Sequence, residues 1–146
     1  MKIGKRDTLL HPIAVHFTNA LFPVAFFFLV LYFLFHNDSF RQTYFYILVL
    51  ATISSPIAYL TGTIDWKQRY KGAMTSLFSK KIRSGIGLMV VGVMCTIWYV
   101  FYPSVLDDKG LARIVFLALN LSTLPLTITL GHLGGKLVFM VSRVQK

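Results

Sequence analysis

The stretch HPIAVHFTNALFPVAFFFLVLYFLF, residues 11–35, decides how the whole chain is read. It contains no Asp, Glu, Lys or Arg. A helix needs about 20 apolar residues to cross the hydrocarbon of a bilayer, and this run is long enough. Three more runs qualify, near 44–64, 84–103 and 111–132. The expected fold is therefore all-α: a single domain over residues 1–146, built as an integral membrane four-helix bundle. Its helices are placed near 11–35, 44–64, 84–103 and 111–132.

Lys2, Lys5 and Arg6 precede the first run, as they would in a signal peptide. The run is too long for that, and it ends in FHNDSF without a small-residue cleavage site, so it is read as a retained helix. Pro12 suits a first helical turn, where its missing N–H would be unpaired anyway. Pro56 should bend the second helix, with Ser54 or Ser55 satisfying the carbonyl it frees. KQRYKGAMTSLFSKKIR is read as a long basic connection, with Met74, Leu77 and Phe78 on one face of a short interfacial helix. HNDSFRQT and SVLDDKG are read as polar hairpins.

The chain carries 15 basic and 5 acidic side chains. With four crossings, twelve of the basic residues fall on the side of the termini and the 67–83 connection. Arg41, Lys109 and Arg113 fall on the other side, beside Asp38, Asp107 and Asp108. The positive-inside rule then makes both termini cytoplasmic, in a bacterial inner membrane. The +10 charge is read as topology with anionic lipid contact, not as a nucleic-acid surface. Cys95, the single cysteine, has no disulfide partner within the chain.

The polar residues converge on the basic end. Helix one brings His11 and His16, helix two Tyr59, Asp65 and Trp66, and helix four Thr129 and His132. His36 lies at the other end and is read as solvated. Small and polar stripes sharpen this picture: His16, Asn19, Ala20 and Pro23; Thr52, Ser55, Tyr59, Gly62 and Trp66; Ser122, Pro125, Thr129 and His132. Such stripes belong against other helices or a cavity. Gly85 and Gly92 share a face of helix three, suited to a close approach or a flat ligand. His11 and His16 are five residues apart, about 140° around a helix. His11 is therefore a boundary residue, while His16 is expected to point inward at the depth of His132.

Two facing imidazoles are what a b-type haem needs as axial ligands. His16 and His132 are the candidates, with His11 near a propionate and Lys80, Lys81 and Arg83 pairing with the propionates. The plainer reading is that each histidine hydrogen-bonds a carbonyl, a hydroxyl or Asp65. Asp65 itself either pairs with Lys67 or Arg69, or orients a histidine from the second layer, beside Trp66 and Tyr59. No quinone motif is visible. GHLGG lacks the context of a phosphate loop.

HPIAVHF at 11–17, GTIDW at 62–66 and GHLGGKLVF at 131–139 together resemble a family of bacterial four-helix membrane proteins catalogued as a domain of unknown function. The resemblance covers nearly the whole chain. Thr18 departs from the proline usual in the first motif, and the basic stretch before helix three lacks the histidine that some members have. The resemblance implies an inner-membrane protein, sometimes associated with redox proteins, with no settled enzymatic activity.

The leading expectation is a small haem b-binding protein, or the b-type subunit of an electron-transfer complex. It would have no catalysis of its own beyond electron transfer, and other redox or membrane-complex subunits, or further copies of itself, as partners. The alternatives are a cofactor-free accessory subunit and a proton or ion relay through His16, Asp65 and His132.

Overall fold

A computed structural model describes residues 10–144, with side chains described for 12–68 and 71–137. Lys2, Lys5, Arg6 and Lys146, and the side chains of His11, Arg69 and Arg143, lie outside the described residues. Four helices make up nearly all of the fold: α1 (Leu10–Phe35), α2 (Asp38–Tyr70), α3 (Ser76–Phe101) and α4 (Leu111–Val144). All four are long and apolar enough to cross a membrane. Each backbone packs against two neighbours, α1 on α2, α2 on α3, α3 on α4 and α4 on α1. The diagonals are bridged by side chains. Phe22 of α1 reaches Gly92 of α3, and Tyr44 of α2 reaches Asn120 of α4.

α2 outruns its expected bounds at both ends, α3 at its start and α4 at its end, while α3 stops two residues short of 103. α2 begins at Asp38, capped by Asn37, whose side chain accepts from the Ser39 N–H at 2.8 Å. Only His36 and Asn37 link it to α1, so HNDSFRQT is mostly helix rather than hairpin. At its other end α2 runs to Tyr70 and stops at Lys71 and Gly72, both in the left-handed region. Thr75 then caps α3 through the Phe78 N–H. The expected interfacial helix is not there: five residues, 71–75, make the turn. Phe78 is buried against Trp66, with ring centroids 6.2 Å apart, while Met74 is exposed. Lys80, Lys81 and Arg83 therefore ride on the opening turns of α3.

Pro56 has no N–H for the Thr52 carbonyl, and the Ser55 hydroxyl donates to that oxygen at 2.8 Å, as the sequence suggested. The core follows a regular stripe along α1 (Thr18, Phe22, Ala25, Leu29, Tyr32) and another along α4 (Phe116, Asn120, Thr123, Thr127, Leu130). Its polar members are bonded locally. Thr123 and Thr127 donate to carbonyls of their own helix. Thr18 donates to Ser54 at 3.0 Å. Thr52 and Thr96 share a hydrogen bond of 2.9 Å. Among the described residues no sealed side-chain N or O lacks a partner, as a solvent without water demands.

The end opposite the basic turn is closed by the connection between α3 and α4. A short 3₁₀ turn, Pro103–Leu106, buries Val105 and Leu106 in the bundle. SVLDDKG is thus half plug and half surface, not a plain polar hairpin. Arg41 clasps it. The guanidinium donates to the Tyr99 hydroxyl, the Asp107 carboxylate and the Pro103 carbonyl, and lies over the Tyr32 and Tyr99 rings. The Tyr32 hydroxyl donates to Asp107 at 2.7 Å.

The Tyr32 hydrogen bond holds the Asp107 carboxyl below the usual carboxylate range, with Arg41 adding to it. A carboxylate depressed in the folded state contributes stability above its unfolded pKa of about 3.9. That contribution is lost as pH falls through the lower folded value. Asp107→Asn should lower the melting temperature near neutral pH, and the gap to wild type should close below about pH 3.9. A gap that stays constant on acidification would contradict the clasp.

Candidate functional site

The basic half of the bundle contains a cavity of about 90 Å³, partly open to the outside. α2 supplies its spine with Ser55, Ala58, Tyr59, Gly62, Thr63 and Trp66, spaced so that successive turns face inward. Facing it are Val15, Thr18 and Asn19 from α1, then Phe78, Lys81, Ile82, Gly85 and Leu88 from α3, and Leu130 from α4. Ser55 and Leu88 line its end toward mid-bundle, Trp66 and Phe78 its end toward the 71–75 turn. Gly85 leaves this part of the wall without a side chain; a Cβ there would rest in ordinary contact with the Tyr59 ring, at 3.8 Å.

Most polar groups on the wall have their hydrogens committed. Thr18 bonds the Ala14 carbonyl and Ser54. Ser55 bonds the Thr52 carbonyl, and Thr63 that of Tyr59. The Trp66 indole N–H donates to the Ala73 carbonyl at 2.9 Å, tying this end of the cavity to the α2–α3 turn. Lys81 is half-buried, and the charge of Asp65 acts on it from the facing helix. Lys80 and Arg83 are exposed beside it.

The residues expected to form a site divide into two groups. Tyr59, Trp66 and Lys81 line the cavity, and Asp65 stands beside Lys81. His16 and His132 do not line it; both are exposed. Asn19 lies against Gly131, 3.8 Å from where a Cβ would be. His16 and His132 are three and one residues from that contact toward the basic end, so their heights agree within about 3 Å. The heights match the expectation, but the faces do not. The inward stripe of α1 runs through Thr18 and Phe22, about 200° around the helix from His16. On α4 the Ser122–His132 stripe is also out of phase: Pro125, Thr129 and His132 are exposed. Thr129 sits outward because its hydroxyl bonds the Pro125 carbonyl at 2.7 Å.

The α2 stripe was read correctly from sequence. So was the pairing of Gly85 and Gly92 on the inner face of α3, where Gly92 is buried against Phe22. Asn19 was visible only as part of a stripe. The Arg41 clasp was missed, although an arginine four residues into a helix beside a paired DD segment was a usable signal.

No solved structure matches this chain. It is 38% identical over 86 residues to a protein of Archaeoglobus fulgidus described as uncharacterized, covering 59% of this chain and 67% of that one. A family model described as "Predicted membrane protein (DUF2231)" matches residues 8–144. The four membrane-length helices and that match over nearly the full chain agree, and the chain belongs to the DUF2231 family of predicted membrane proteins.

Proposed function

We propose that this chain is a non-catalytic ligand-binding subunit of a bacterial cytoplasmic membrane, with both termini and the 71–75 turn facing the cytoplasm. The observation that carries the reading is the cavity. Apolar walls interrupted by a few convergent polar groups are the composition of a small-molecule site. Its size suits the head of an amphiphile whose remainder leaves through the open side. The exposed apolar faces of all four helices are available to lipid and to neighbouring membrane subunits, including further copies of the chain. The charge bias supports the orientation. A reporter active only in the cytoplasm should give signal when fused after Lys146, and a periplasm-dependent reporter should work at Asp107–Lys109. Signals in the reverse sense would invert the bundle.

A b-type haem is a second reading, favoured by the matched heights of His16 and His132 on adjoining helices. The interior of a single copy does not fit it: both imidazoles are exposed, and neither lines the cavity. Such a haem would sit on the outside, against another chain. Native mass spectrometry separates the two readings. Under the first, purified protein carries an amphiphile of lipid mass that Gly85→Leu removes without unfolding the bundle. Under the second, it carries a haem mass that His16→Ala and His132→Ala remove and Gly85→Leu leaves. Protein that carries neither would count against both.

A further inference from the structure

We infer that the cavity takes the anionic head of an acyl lipid, bound by the Lys81 ammonium, the Asn19 amide and the Tyr59 hydroxyl. This deepens the ligand-binding reading above and rests on it.

The donor set carries the argument. Asn19 and Tyr59 line the cavity, yet neither side chain hydrogen-bonds another described residue. Every other polar group on the wall has such a bond or an ionic neighbour. Both side chains are part-buried beside the cavity, and an amide or a phenol inside a bilayer costs free energy unless something accepts from it. Each offers hydrogens, and the lining residue that carries a formal charge, Lys81, offers more. An oxygen-rich anion accepts from all three. A cation would be repelled by Lys81, whereas an anionic head is attracted by its charge.

The surroundings favour the same sign. Lys80 and Arg83 are exposed next to Lys81, and Lys67, Lys71 and Lys136 stand at the same end of the bundle. The one described acid at that end is Asp65, which competes for Lys81. Val15, Ile82, Leu88 and Leu130 supply hydrocarbon wall for the chain behind the head. A carboxylate of a free fatty acid and the phosphate of an anionic phospholipid share this chemistry.

Quenching of Trp66, which lines the cavity, tests it. Full-length protein with Trp98→Phe, which leaves Trp66 as the single tryptophan, is placed in zwitterionic nanodiscs. Three probes carrying the same spin-labelled chain are titrated: a fatty acid, its methyl ester and an anionic phosphatidylglycerol. Saturable quenching is expected from one or both anionic probes, and the one that saturates identifies the source. Lys81→Gln should weaken that binding at least about tenfold, and Asn19→Ala and Tyr59→Phe about threefold or more each, following the strengths of charged and neutral hydrogen bonds. Lys81→Arg should retain it. Asp65→Asn should tighten it by removing the competing carboxylate, which damage to the fold would not do. If the ester binds as well as the acid, and Lys81→Gln changes nothing, the head assignment fails while ligand binding stands. If Asp65→Asn abolishes binding, the assignment also fails. If none of the probes saturates, the ligand-binding reading fails and the head assignment with it.

Discussion

Gly92→Val should destabilise the bundle by about 3 kcal/mol, close to the upper end for an overpacked core. A Cβ at Gly92 alone would stand 2.9 Å from the Phe22 ring and 3.1 Å from the Thr52 hydroxyl oxygen. Phe22 is fully buried and has no free volume to retreat into. Thr52 can yield only by giving up its hydrogen bond to Thr96, worth about 1 kcal/mol. Valine adds two further methyl groups to the same point. Because Phe22 is the side chain that joins α1 to α3 across the diagonal, the strain pushes apart two helices whose backbones do not touch. Gly134→Ala is the control. A Cβ there meets nothing within 4 Å, and replacing a helical glycine by alanine gains roughly 0.5–1 kcal/mol. Unfolding in mixed micelles by graded SDS would read both. Equal midpoints for Gly92→Val and wild type would show that the diagonal contact is not tight.

The second large effect lies on the other diagonal. Asn120 accepts from the Tyr44 hydroxyl at 2.8 Å and donates to the Phe116 carbonyl and the Cys95 sulfur. All of this is buried at mid-bundle. Asn120→Leu keeps the volume but leaves the Tyr44 hydroxyl facing hydrocarbon, at a cost of about 2–3 kcal/mol. Tyr44→Phe alone should cost less, because the amide keeps its Phe116 bond. The double variant should be more stable than Asn120→Leu, since removing both partners strands nothing. If the two losses simply add, the pair is not coupled and the network has been misread.

The bundle itself was legible because a helix in lipid must be long and uncharged, and such runs cannot hide. Their ends were less legible. Residues such as Asn37 and Thr75 cap helices that extend well past the apolar run, and Asp38, Arg41 or Lys81 can sit in a helix as easily as in a loop. The faces were legible only where polarity and packing agree. On α2 they agree, and Ser55, Tyr59, Gly62 and Trp66 were placed together. On α4 they do not. Thr129 can pay its hydrogen-bond debt to its own Pro125 carbonyl, so a polar stripe facing outward costs little, and it masked the true inner stripe through Asn120 and Thr127. His16 was misplaced for a related reason. Near the end of a membrane helix an imidazole has headgroup and water within reach, so it carries no obligation to face inward.

The clasp around Arg41 also bears on the order in which this protein is made. Synthesis delivers α1 and α2 first, joined by only His36 and Asn37, a pair that can enter the bilayer together as one hairpin. The groups to which Arg41 donates, Tyr99, Pro103 and Asp107, all belong to the second hairpin or its connection. Until that half arrives, a guanidinium stands at the membrane edge without its acceptors. The first hairpin alone therefore cannot complete the clasp, because its carboxylate acceptor, Asp107, comes only with the second.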